Sequence, residues 1–569
     1  MTQRAPRVLL SLAALAVCFA AADTYVVVLA LPDMMAGAGV PIDQLQRAAP
    51  IVSGFLLGYV AVLPLTGRIA DLRGRLPVLV GSLVVFAVGS LVTAAAYDLP
   101  SMVTGRFLQG VGAGGLVPAT LALVADLYPP ERRGVPLGVV GAVQELGSVI
   151  GPLYGAVVLA VADWQAIFWI NLAVGLVLAA ALLQLRPQGA SLRVDWVLAA
   201  LTLLTAVAVS LVMMQPRWLV DSVSLGGPFV PWSGENRWFS PAGAIAVGLG
   251  LPLVIRLRPA RWADIPRQTD VVGASLLGLA LTGVILAFAT ADPAVQVFSP
   301  AGPWLLAGSV LASVLFVLRN RRSSHPLVPP AALRATPAWG SIVVSFFVGS
   351  ALIAALVDIP VAARITVYPD SQLLAAMVLV RFLVALPVGA LVGGWLTHRL
   401  PSGVVTLAGM VLAAVGFTWM SQWTLTSLES WVATIPLVLG GFGFGLALAP
   451  VNAALLASTE DAVHGVASAL LVVARMVGML IGISALTAVG LRRFYEISAD
   501  IPPPTEVCNG SSRCQEYNDL LQTSGLAQLE VIFLGAAGCA LLAGLLALAT
   551  FATARTRGIA TAELLRSAG

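Results

Sequence analysis

A charged loop, Gly67-Arg68-Ile69-Ala70-Asp71-Leu72-Arg73-Gly74-Arg75, joins two long apolar segments of the sequence, 49–67 and 76–97. Each segment is long enough to cross the roughly 30 Å hydrocarbon core of a bilayer as a helix. The two glycines allow a tight backbone turn, while the aspartate is placed to pair with the last arginine or to lie near a helix N-terminus. The pattern predicts two membrane-spanning helices joined by a short loop at the cytoplasmic surface.

The same organisation extends over the rest of the chain. Of its 569 residues, 59% are hydrophobic and 10% are charged, and the mean hydropathy is +0.95. A typical soluble domain carries about 25% charged residues, so that class is excluded. Successive apolar segments predict an all-α membrane protein with about sixteen spans. The predicted spans are 8–31, 49–67, 76–97, 101–124, 136–161, 165–185, 194–214, 240–257, 270–290, 302–318, 338–358, 373–397, 403–421, 431–456, 463–490 and 526–552.

The distribution of arginine predicts the orientation of the chain. There are 31 basic residues, and none is lysine. With the N-terminus inside and the spans alternating, 21 arginines fall in cytoplasmic segments, seven in outer segments and three within spans. Positive charge is enriched in the cytoplasmic loops of membrane proteins. Both termini are therefore expected in the cytoplasm, with the protein in the bacterial inner membrane.

The middle of the chain contains a repeat. Asp195-Trp196-Val197-Leu198-Ala199 and Asp270-Val271-Val272-Gly273-Ala274 open two helix pairs, and Phe239-Ser240-Pro241-Ala242-Gly243 recurs as Phe298-Ser299-Pro300-Ala301-Gly302. Coincidence is the alternative interpretation, since Asp and Ser-Pro are common helix starts. We favour a duplicated hairpin, because adding two spans preserves the orientation of everything that follows. The predicted domains are a six-helix half at 1–190, four linker helices at 191–335 and a second six-helix half at 336–569.

Three motifs in chain order resemble those of the major facilitator superfamily. The charged loop matches its signature through Gly67, Asp71, Gly74 and Arg75. The fourth span carries Arg106-Phe107-Leu108-Gln109-Gly110-Val111-Gly112, like the superfamily's buried arginine motif. The fifth carries Gly147-Ser148-Val149-Ile150-Gly151-Pro152-Leu153-Tyr154-Gly155, like the Gly-Pro motif of its antiporters. Small residues four apart permit close helix approach, and proline allows a bend. Helix packing alone explains the glycines but not all three motifs in order, so the chain is identified as a member of this superfamily.

Narrower resemblances concern the substrate. Asp23-Thr24-Tyr25-Val26-Val27-Val28-Leu29-Ala30-Leu31-Pro32 is similar to the signature of the fourteen-helix drug-proton antiporter branch. Gln144-Glu145-Leu146-Gly147 and His464-Gly465-Val466-Ala467-Ser468, with Val473-Ala474-Arg475-Met476-Val477-Gly478-Met479-Leu480-Ile481-Gly482, resemble the mycobacterial triacylglyceride exporters of the superfamily. That resemblance implies a lipid substrate and a periplasmic lipid-carrying lipoprotein as partner. It departs at the centre, where those exporters have two linker helices and this sequence predicts four.

Five ionisable residues fall within predicted spans, where each costs about 2.5–3.5 kcal/mol on insertion scales and indicates a functional site. They are Asp23, Arg106, Glu145, Arg381 and Arg475. The resemblance implies two halves that rock against each other, with the fifth helix facing the eighth and the second facing the eleventh.

Two ion pairs across the halves are expected from these positions. We predict that Glu145 pairs with Arg381 and Asp23 with Arg475 in one transport state, or that the two pairs are exchanged. Proton binding to an acid would break its pair and couple the proton gradient to rocking, so Asp23→Asn and Glu145→Gln should lose transport. The alternative is that the pairs only fix helix register. His464 is expected to pack or cap at a helix start.

The most polar stretch, 491–525, lies between the last two predicted spans and predicts a periplasmic hairpin at about 495–520. It contains Cys508-Asn509-Gly510-Ser511-Ser512-Arg513-Cys514, with two cysteines on either side of a turn signal. On the oxidising side of the membrane this spacing predicts a disulfide between Cys508 and Cys514. Metal binding is less favoured, because the segment has no further Cys or His. Such a projection docks a lipid-accepting partner or shields an acyl chain, or else it is only a stabilised loop.

Together these patterns predict a proton-coupled secondary exporter of triacylglyceride-like lipids or other lipophilic compounds. The alternatives are a multidrug-proton antiporter and, in a different class, a membrane scaffold or sensor that would leave the intramembrane charges unexplained. No metal cluster, nucleophile elbow or phosphate-binding loop occurs in the sequence, so an enzyme is not expected. No cofactor, metal or nucleic acid is expected. The expected partners are membrane lipids, a lipophilic small-molecule substrate, protons and the lipoprotein.

Overall fold

The computed structural model describes residues 4–39, 45–129, 132–185, 196–222, 226–233, 236–256, 270–289, 299–324, 326–369, 371–508 and 514–554. Within these ranges the secondary structure is helical, and no β-strand occurs. The long helices, numbered in chain order, are α1 Arg4–Gly37, α2 Leu45–Arg73, α3 Arg75–Ala94, α4 Leu99–Leu127, α5 Gly134–Val161, α6 Gln165–Gln184, α7 Trp196–Met214, α8 Pro241–Arg256, α9 Val271–Ala289, α10 Gly302–Arg322, α11 Thr336–Thr366, α12 Gln372–Leu396, α13 Ser402–Met420, α14 Thr434–Ala457, α15 His464–Ala499 and α16 Gln515–Thr550.

The helices have the composition of membrane spans. In the described part of the chain, 13 are long and apolar enough to cross a membrane. The other three, α1, α5 and α8, contain shorter apolar stretches, which are Val8–Thr24, Val135–Gln144 and Pro241–Leu253. A helix satisfies its backbone polar groups internally, which is what the bilayer interior requires. The helical membrane fold expected from the sequence is confirmed, while sixteen crossings and the orientation of the termini stay predictions.

Helices α1–α6 and α11–α16 pack in the same pattern. In the first set α1 packs on α5, and α4 packs on α2 and α3; in the second set α11 packs on α15, and α14 packs on α12 and α13. Helices α1 and α11 therefore hold corresponding positions. The two sets touch each other along two seams, one between α2 and α15 and the other between α5 and α12.

Glycines of the predicted Gly-Pro motif place α5 directly on α1. A Cβ added at Gly147 would collide with the backbone oxygen of Cys18, and one added at Gly151 would collide with that of Ala22. Only residues without a side chain permit this approach, as in other membrane helix pairs. The helix α5 continues without a break through Pro152, whose side chain lies outside the described residues.

The four central helices form two hairpins, α7 with α8 and α9 with α10. The repeated Ser-Pro-Ala-Gly segments begin α8 and α10, and Ser240 Oγ accepts a 3.1 Å hydrogen bond from the backbone N–H of Gly243. Asp270 precedes α9, where it accepts from Gly273 N–H at 2.9 Å and from Arg319 Nε at 3.1 Å. Its counterpart in the first copy, Asp195, lies outside the described residues.

The second hairpin lies over one seam between the two six-helix sets. Helix α9 packs against both α2 and α15. Ser484 Oγ on α15 donates a 3.3 Å hydrogen bond to the backbone oxygen of Phe288 on α9. The first hairpin is joined to the bundle through its connecting loop, where the Arg237 guanidinium lies 4.1 Å from the centre of the Tyr97 ring.

The last two helices are longer than the roughly 30 Å hydrocarbon core of a bilayer. Helices α15 and α16 have 36 residues each, which is about 54 Å at the α-helical rise. They therefore take in most of the segment predicted as a polar hairpin, and the chain leaves α15 just before Pro502. The disulfide Cys508–Cys514 is present, with a Cα–Cα distance of 5.5 Å, as the sequence predicted. The Asn509-Gly510 turn lies outside the described residues.

The bundle has two chemically distinct ends. The disulfide end carries Cys508–Cys514, and the basic end carries Gly67–Arg75. Helix α15 begins at the basic end with His464 and runs the length of the bundle to Ala499 at the disulfide end.

Candidate functional site

A buried ion pair lies inside the first six-helix set. Arg106 Nη1 on α4 contacts Asp23 Oδ2 on α1 at 2.7 Å, and both side chains are 1% exposed or less. Asn171 on α6 donates to the other oxygen of Asp23 at 2.5 Å. The carboxylate is thus held by two helices at once. In a low-dielectric interior such a pair is stable only while both partners remain, and removing one typically costs 3–5 kcal/mol.

The arginine of this pair is itself held from several sides. Its Nη1 also donates to Gln109 Oε1 at 2.9 Å, and Gln109 Nε2 donates to Ser90 Oγ at 2.9 Å on α3. The ring of Phe55 on α2 lies 4.5 Å from the guanidinium carbon, which adds a cation–π contact. Four helices therefore converge on one charge, and the sequence motif around Arg106 is accounted for by this network.

The structure pairs Asp23 differently from the sequence prediction. In this conformation its partner is Arg106 of the same helix set, and the predicted contact with Arg475 is not present. The reason is rotational, because Asp23 faces α4 and α6 inside its own helix set, away from the seams. Arg381 donates to the hydroxyl of Thr434 at 3.1 Å. The side chain of Glu145 lies outside the described residues, so the predicted Glu145–Arg381 pair stays a prediction.

A cavity lies between the two six-helix sets. Its empty volume is about 540 Å³ including the space at its mouth, and its walls come from α4, α5, α11, α14 and α15. Most of the lining is aliphatic, for example Val117, Leu121 and Val451. Polar groups are few, and they are Gln144, Ser345, Asn452 and Arg475. An apolar pocket with a few placed polar groups is the usual form of a small-molecule site.

At the basic end, the charged loop joins the two six-helix sets. Asp71 Oδ1 accepts from Gly465 N–H at 2.9 Å, and Oδ2 accepts from Val466 N–H at 3.1 Å. These N–H groups belong to the first turn of α15, where backbone N–H groups have no intrahelical acceptor. The positive end of the helix dipole lies at the same place. Arg75 bonds to Asp71 at 2.5 Å, so both contacts that the sequence allowed for this aspartate occur together.

Two glycines make this contact close enough. A Cβ at Gly67 would collide with the backbone of Gly465, and a Cβ at Gly465 would collide with the backbone oxygen of Gly67 and approach the carboxylate of Asp71. Arg75 extends the contact, because its Nε reaches Asp126 at 3.2 Å. The basic end is therefore closed in this conformation by a contact between α2 and α15.

We expect Asp71→Asn to open this end. The amide keeps one acceptor but loses the charge that interacts with the helix dipole and Arg75, and hydrogen bonds to charged groups contribute about 1.5–3 kcal/mol. That is roughly a tenfold to hundredfold shift towards the open form. The measurement is maleimide labelling from the basic end of Leu448→Cys, a cavity residue, in a background with Cys18→Ala and Cys539→Ala.

Asp126→Asn serves as the control for Asp71→Asn. Asp126 contacts Arg75 too, but its side chain is 46% exposed and its ion pair lies within the first six-helix set. Labelling should rise with Asp71→Asn and change little with Asp126→Asn. Equal labelling in both variants would show that the aspartate does not hold this end closed.

His464 packs at the start of α15, as expected. Its Nε2 lies 3.1 Å from the backbone oxygen of Leu456 and 3.2 Å from that of Thr459, and its side chain is buried. Nδ1 lies 3.5 Å from Asp461. These contacts fix the turn that leads into α15, next to the residues that bond to Asp71.

Sequence reasoning missed three polar residues of the helix interior. Asn171 and Gln109 hold the Asp23–Arg106 pair but carry no charge, so a search for intramembrane charges passed over them. Asp358 on α11 is 5% exposed. The predicted span 338–358 ends at this residue, whereas α11 continues through Pro360 to Thr366. An acid followed by proline inside an apolar run was the available signal.

Comparison with known proteins agrees with the architecture. The sequence profile of the Major Facilitator Superfamily matches residues 13–483. The chain is 36% identical over 509 residues to a triacylglyceride transporter of Mycolicibacterium hassiacum, covering 87% of this chain and 82% of that protein. It is 36% identical over 516 residues to a triacylglyceride transporter of Mycobacterium tuberculosis, covering 87% and 86%.

Solved structures have the same fold. The proton:xylose symporter XylE bound to 6-bromo-6-deoxy-D-glucose superposes with a TM-score of 0.56 at 12% identity, covering 99% of this chain and 100% of that one. The human organic anion transporter MFSD10 gives a TM-score of 0.52 at 15% identity, covering 95% and 99%. The extent of the profile match and the identity to these relatives show that the chain is a multi-pass transporter of the bacterial cytoplasmic membrane that belongs to the Major Facilitator Superfamily.

Proposed function

We propose that this transporter exports a neutral, multi-chain lipid of the triacylglyceride type and that protons drive the export. The observation that carries the proposal is the 35–36% identity, over 86–87% of the chain, to transporters that bear this name in several mycobacteria. A matching site supports it, since the cavity between the two helix sets is mostly aliphatic.

The chemistry of the cavity suits a lipid ester. Acyl chains need apolar walls, whereas ester oxygens accept hydrogen bonds and cannot donate them. The side chains of Gln144 and Arg475 supply donors at the cavity wall. The empty volume of about 540 Å³ includes the open space at the mouth of the cavity, so in this conformation a three-chain lipid would place only a small part of its length inside.

The lateral route into the cavity follows from the seams. Helix α9 covers the seam between α2 and α15, and the other seam, between α5 and α12, has Gly138 of α5 packed directly on the backbone of Ala390 of α12. We assign lipid entry to the α5–α12 side, because the covered seam would require the central hairpin to leave.

Proton coupling rests on Asp23. Protonation would neutralise the carboxylate, weaken its bonds to Arg106 and Asn171 and release α1 from α4 and α6. Asp23 does not line the cavity, so its effect on the substrate passes through helix movement. A proton can shift the balance between conformations only as far as its affinity differs between them.

The test is transport by the purified chain in proteoliposomes. Vesicles receive a fluorescent triacylglycerol or ethidium, each with and without a pH gradient. We expect gradient-dependent movement of the triacylglycerol and little movement of ethidium. Gradient-dependent ethidium transport without lipid transport would identify a multidrug-proton antiporter, and no transport of either compound would favour a scaffold or sensor.

The projection at the disulfide end is proposed to dock a lipid-accepting partner. Replacing residues 502–514 by a short Gly-Ser link, which still connects α15 to α16, should reduce transfer to an added periplasmic lipid-binding lipoprotein at least tenfold. Gradient-driven movement of lipid within the vesicle should remain. The double variant Cys508→Ser/Cys514→Ser is the control for loss of the disulfide alone. Undiminished transfer after the replacement would show that the segment is only a stabilised loop with no docking role.

A further inference from the structure

Asp358 is a buried acid outside both the Asp23–Arg106 network and the cavity. It lies on α11 and is 5% exposed. Among the residues that the structure describes, no hydrogen bond or ion pair to its carboxyl group is present. Asp23, by contrast, has an arginine and an asparagine on its two oxygens. Burying a carboxylate without a partner is so costly that the group normally takes up a proton instead.

The helices packed against α11 bring no counter-charge to Asp358. Their ionisable groups towards the disulfide end are exposed or bonded elsewhere: Arg364 on α11 itself, Arg492 and Arg493 on α15, and Glu530 on α16 are exposed, and Arg381 on α12 donates to Thr434. The helix α14 contributes no ionisable side chain. The neutral form of the carboxyl group is therefore the one that this environment accommodates.

Asp358 and Asp23 lie on corresponding helices. Each acid lies on the first helix of its six-helix set, and each of these helices packs on the fifth helix of its set. Asp358 is eight residues before Thr366, the end of α11, which is about 12 Å along the helix. Pro360 has no N–H to donate to the carbonyl of Leu356, so α11 lacks one backbone hydrogen bond in the turn that contains Asp358.

We propose that Asp358 is a second proton-binding site and that it carries its proton in this conformation, while Asp23 is ionised. Each half of the transporter then holds one buried acid on its first helix, and the two buried acids are in opposite protonation states. The short distance to the disulfide end places Asp358 where a proton from the outer side arrives first. This inference rests on the proposed function and extends it, because it gives the proposed lipid exporter two proton-binding sites.

Infrared spectroscopy tests the protonation state without any transport. The full chain is measured at pH 7 in an ester-free detergent, since ester carbonyls absorb in the same region as the neutral carboxyl group. We expect the neutral-carboxyl band to lose the amplitude of one group in Asp358→Asn and to be unchanged in Asp23→Asn. A band identical in wild type and Asp358→Asn would overturn the proposal.

A second variant keeps the test decisive if Asp358→Asn does not fold. Asp358→Glu retains a carboxyl group in a different position, so the band should shift in frequency and keep its amplitude. An unshifted band would mean that the absorbing group is another acid, which would also overturn the proposal.

Transport provides an independent measure. In proteoliposomes, the pH gradient that just balances a lipid gradient gives the proton-to-lipid ratio, and we expect Asp358→Asn to halve it. An unchanged ratio would argue against a coupling role for Asp358. If the wild type showed no gradient-driven lipid movement while the infrared band followed Asp358, the exporter proposal would fail and the proton site would stand.

Discussion

Asp23→Asn is expected to reduce gradient-driven lipid export at least a hundredfold. The asparagine keeps the size of the side chain and one of its two acceptor oxygens, but it neither ionises nor takes up a proton. The variant therefore cannot alternate between the paired and the released state that the proposed coupling needs. Export should fall to the rate seen without a pH gradient, because the loss concerns the driving force.

The same substitution leaves Arg106 as a buried charge without its anion. Breaking one side of a buried ion pair costs about 3–5 kcal/mol, so thermal stability should fall as well. The double variant Asp23→Asn/Arg106→Gln removes both charges and should recover much of that stability without recovering export. Comparing the single and double variants therefore separates the loss of stability from the loss of export.

Asp33→Asn is the matched control for Asp23→Asn. Asp33 lies on the same helix but is exposed. Export by Asp33→Asn should stay within about twofold of wild type, since exposed substitutions rarely change stability by more than about 0.5 kcal/mol. Full gradient-driven export by Asp23→Asn, at unchanged expression, would remove this residue from the coupling mechanism.

Gly465→Ala is expected to reduce export at least tenfold by preventing closure of the basic end. The added methyl group meets the backbone oxygen of Gly67 and the carboxylate of Asp71, neither of which moves without separating α2 from α15. That separation would also remove the two hydrogen bonds from the first turn of α15 to Asp71. Overpacking a tight contact typically costs about 1–3 kcal/mol. Here the cost destabilises only the closed conformation, in which the two helices touch.

Two measurements check the effect of Gly465→Ala. The first is lipid export, and the second is labelling of Leu448→Cys from the basic end, which should increase. Gly538→Ala adds the same methyl group to α16 at a position where nothing lies within 4 Å, and it should behave like wild type. Normal export together with wild-type labelling in Gly465→Ala would show that this glycine contact is not a closing contact.

The sequence predicted the elements that depend on neighbouring residues. Apolar runs define the helices, because a chain in lipid must satisfy its backbone polar groups within each span. Cys508 and Cys514 are six positions apart on one loop, so their pairing needed no knowledge of the fold. Two helix ends differ from the prediction. The predicted span 338–358 ends before Pro360, whereas α11 continues to Thr366, and the span 463–490 ends before polar residues that α15 includes.

The contacts of the intramembrane charges were beyond the sequence. Arg106 is 83 positions from Asp23, and Asn171 is 148 positions from it. Which partner an acid meets depends on the rotation of its helix and on the helices packed around it. The sequence gives only the depth of each charge. The prediction that pairs Asp23 with Arg475 in one transport state uses depth and the expected seams. The rotation that turns Asp23 towards α4 and α6 in this conformation comes from the tertiary structure alone.

The contact that closes the basic end was also predicted only in part from the sequence. The residues of the charged loop are adjacent in sequence, and their pattern alone indicated a pairing of Asp71 with Arg75 or with a helix N-terminus. Only the tertiary structure identified that helix as α15, 394 positions away, and showed that Gly67 and Gly465 make the contact possible. Residence in the membrane, helix content and the disulfide thus follow from local chemistry, which the sequence carries. The partners of Asp23, Asp71 and Asp358 follow from packing, because burial and hydrogen bonding act between groups that only the folded chain brings together.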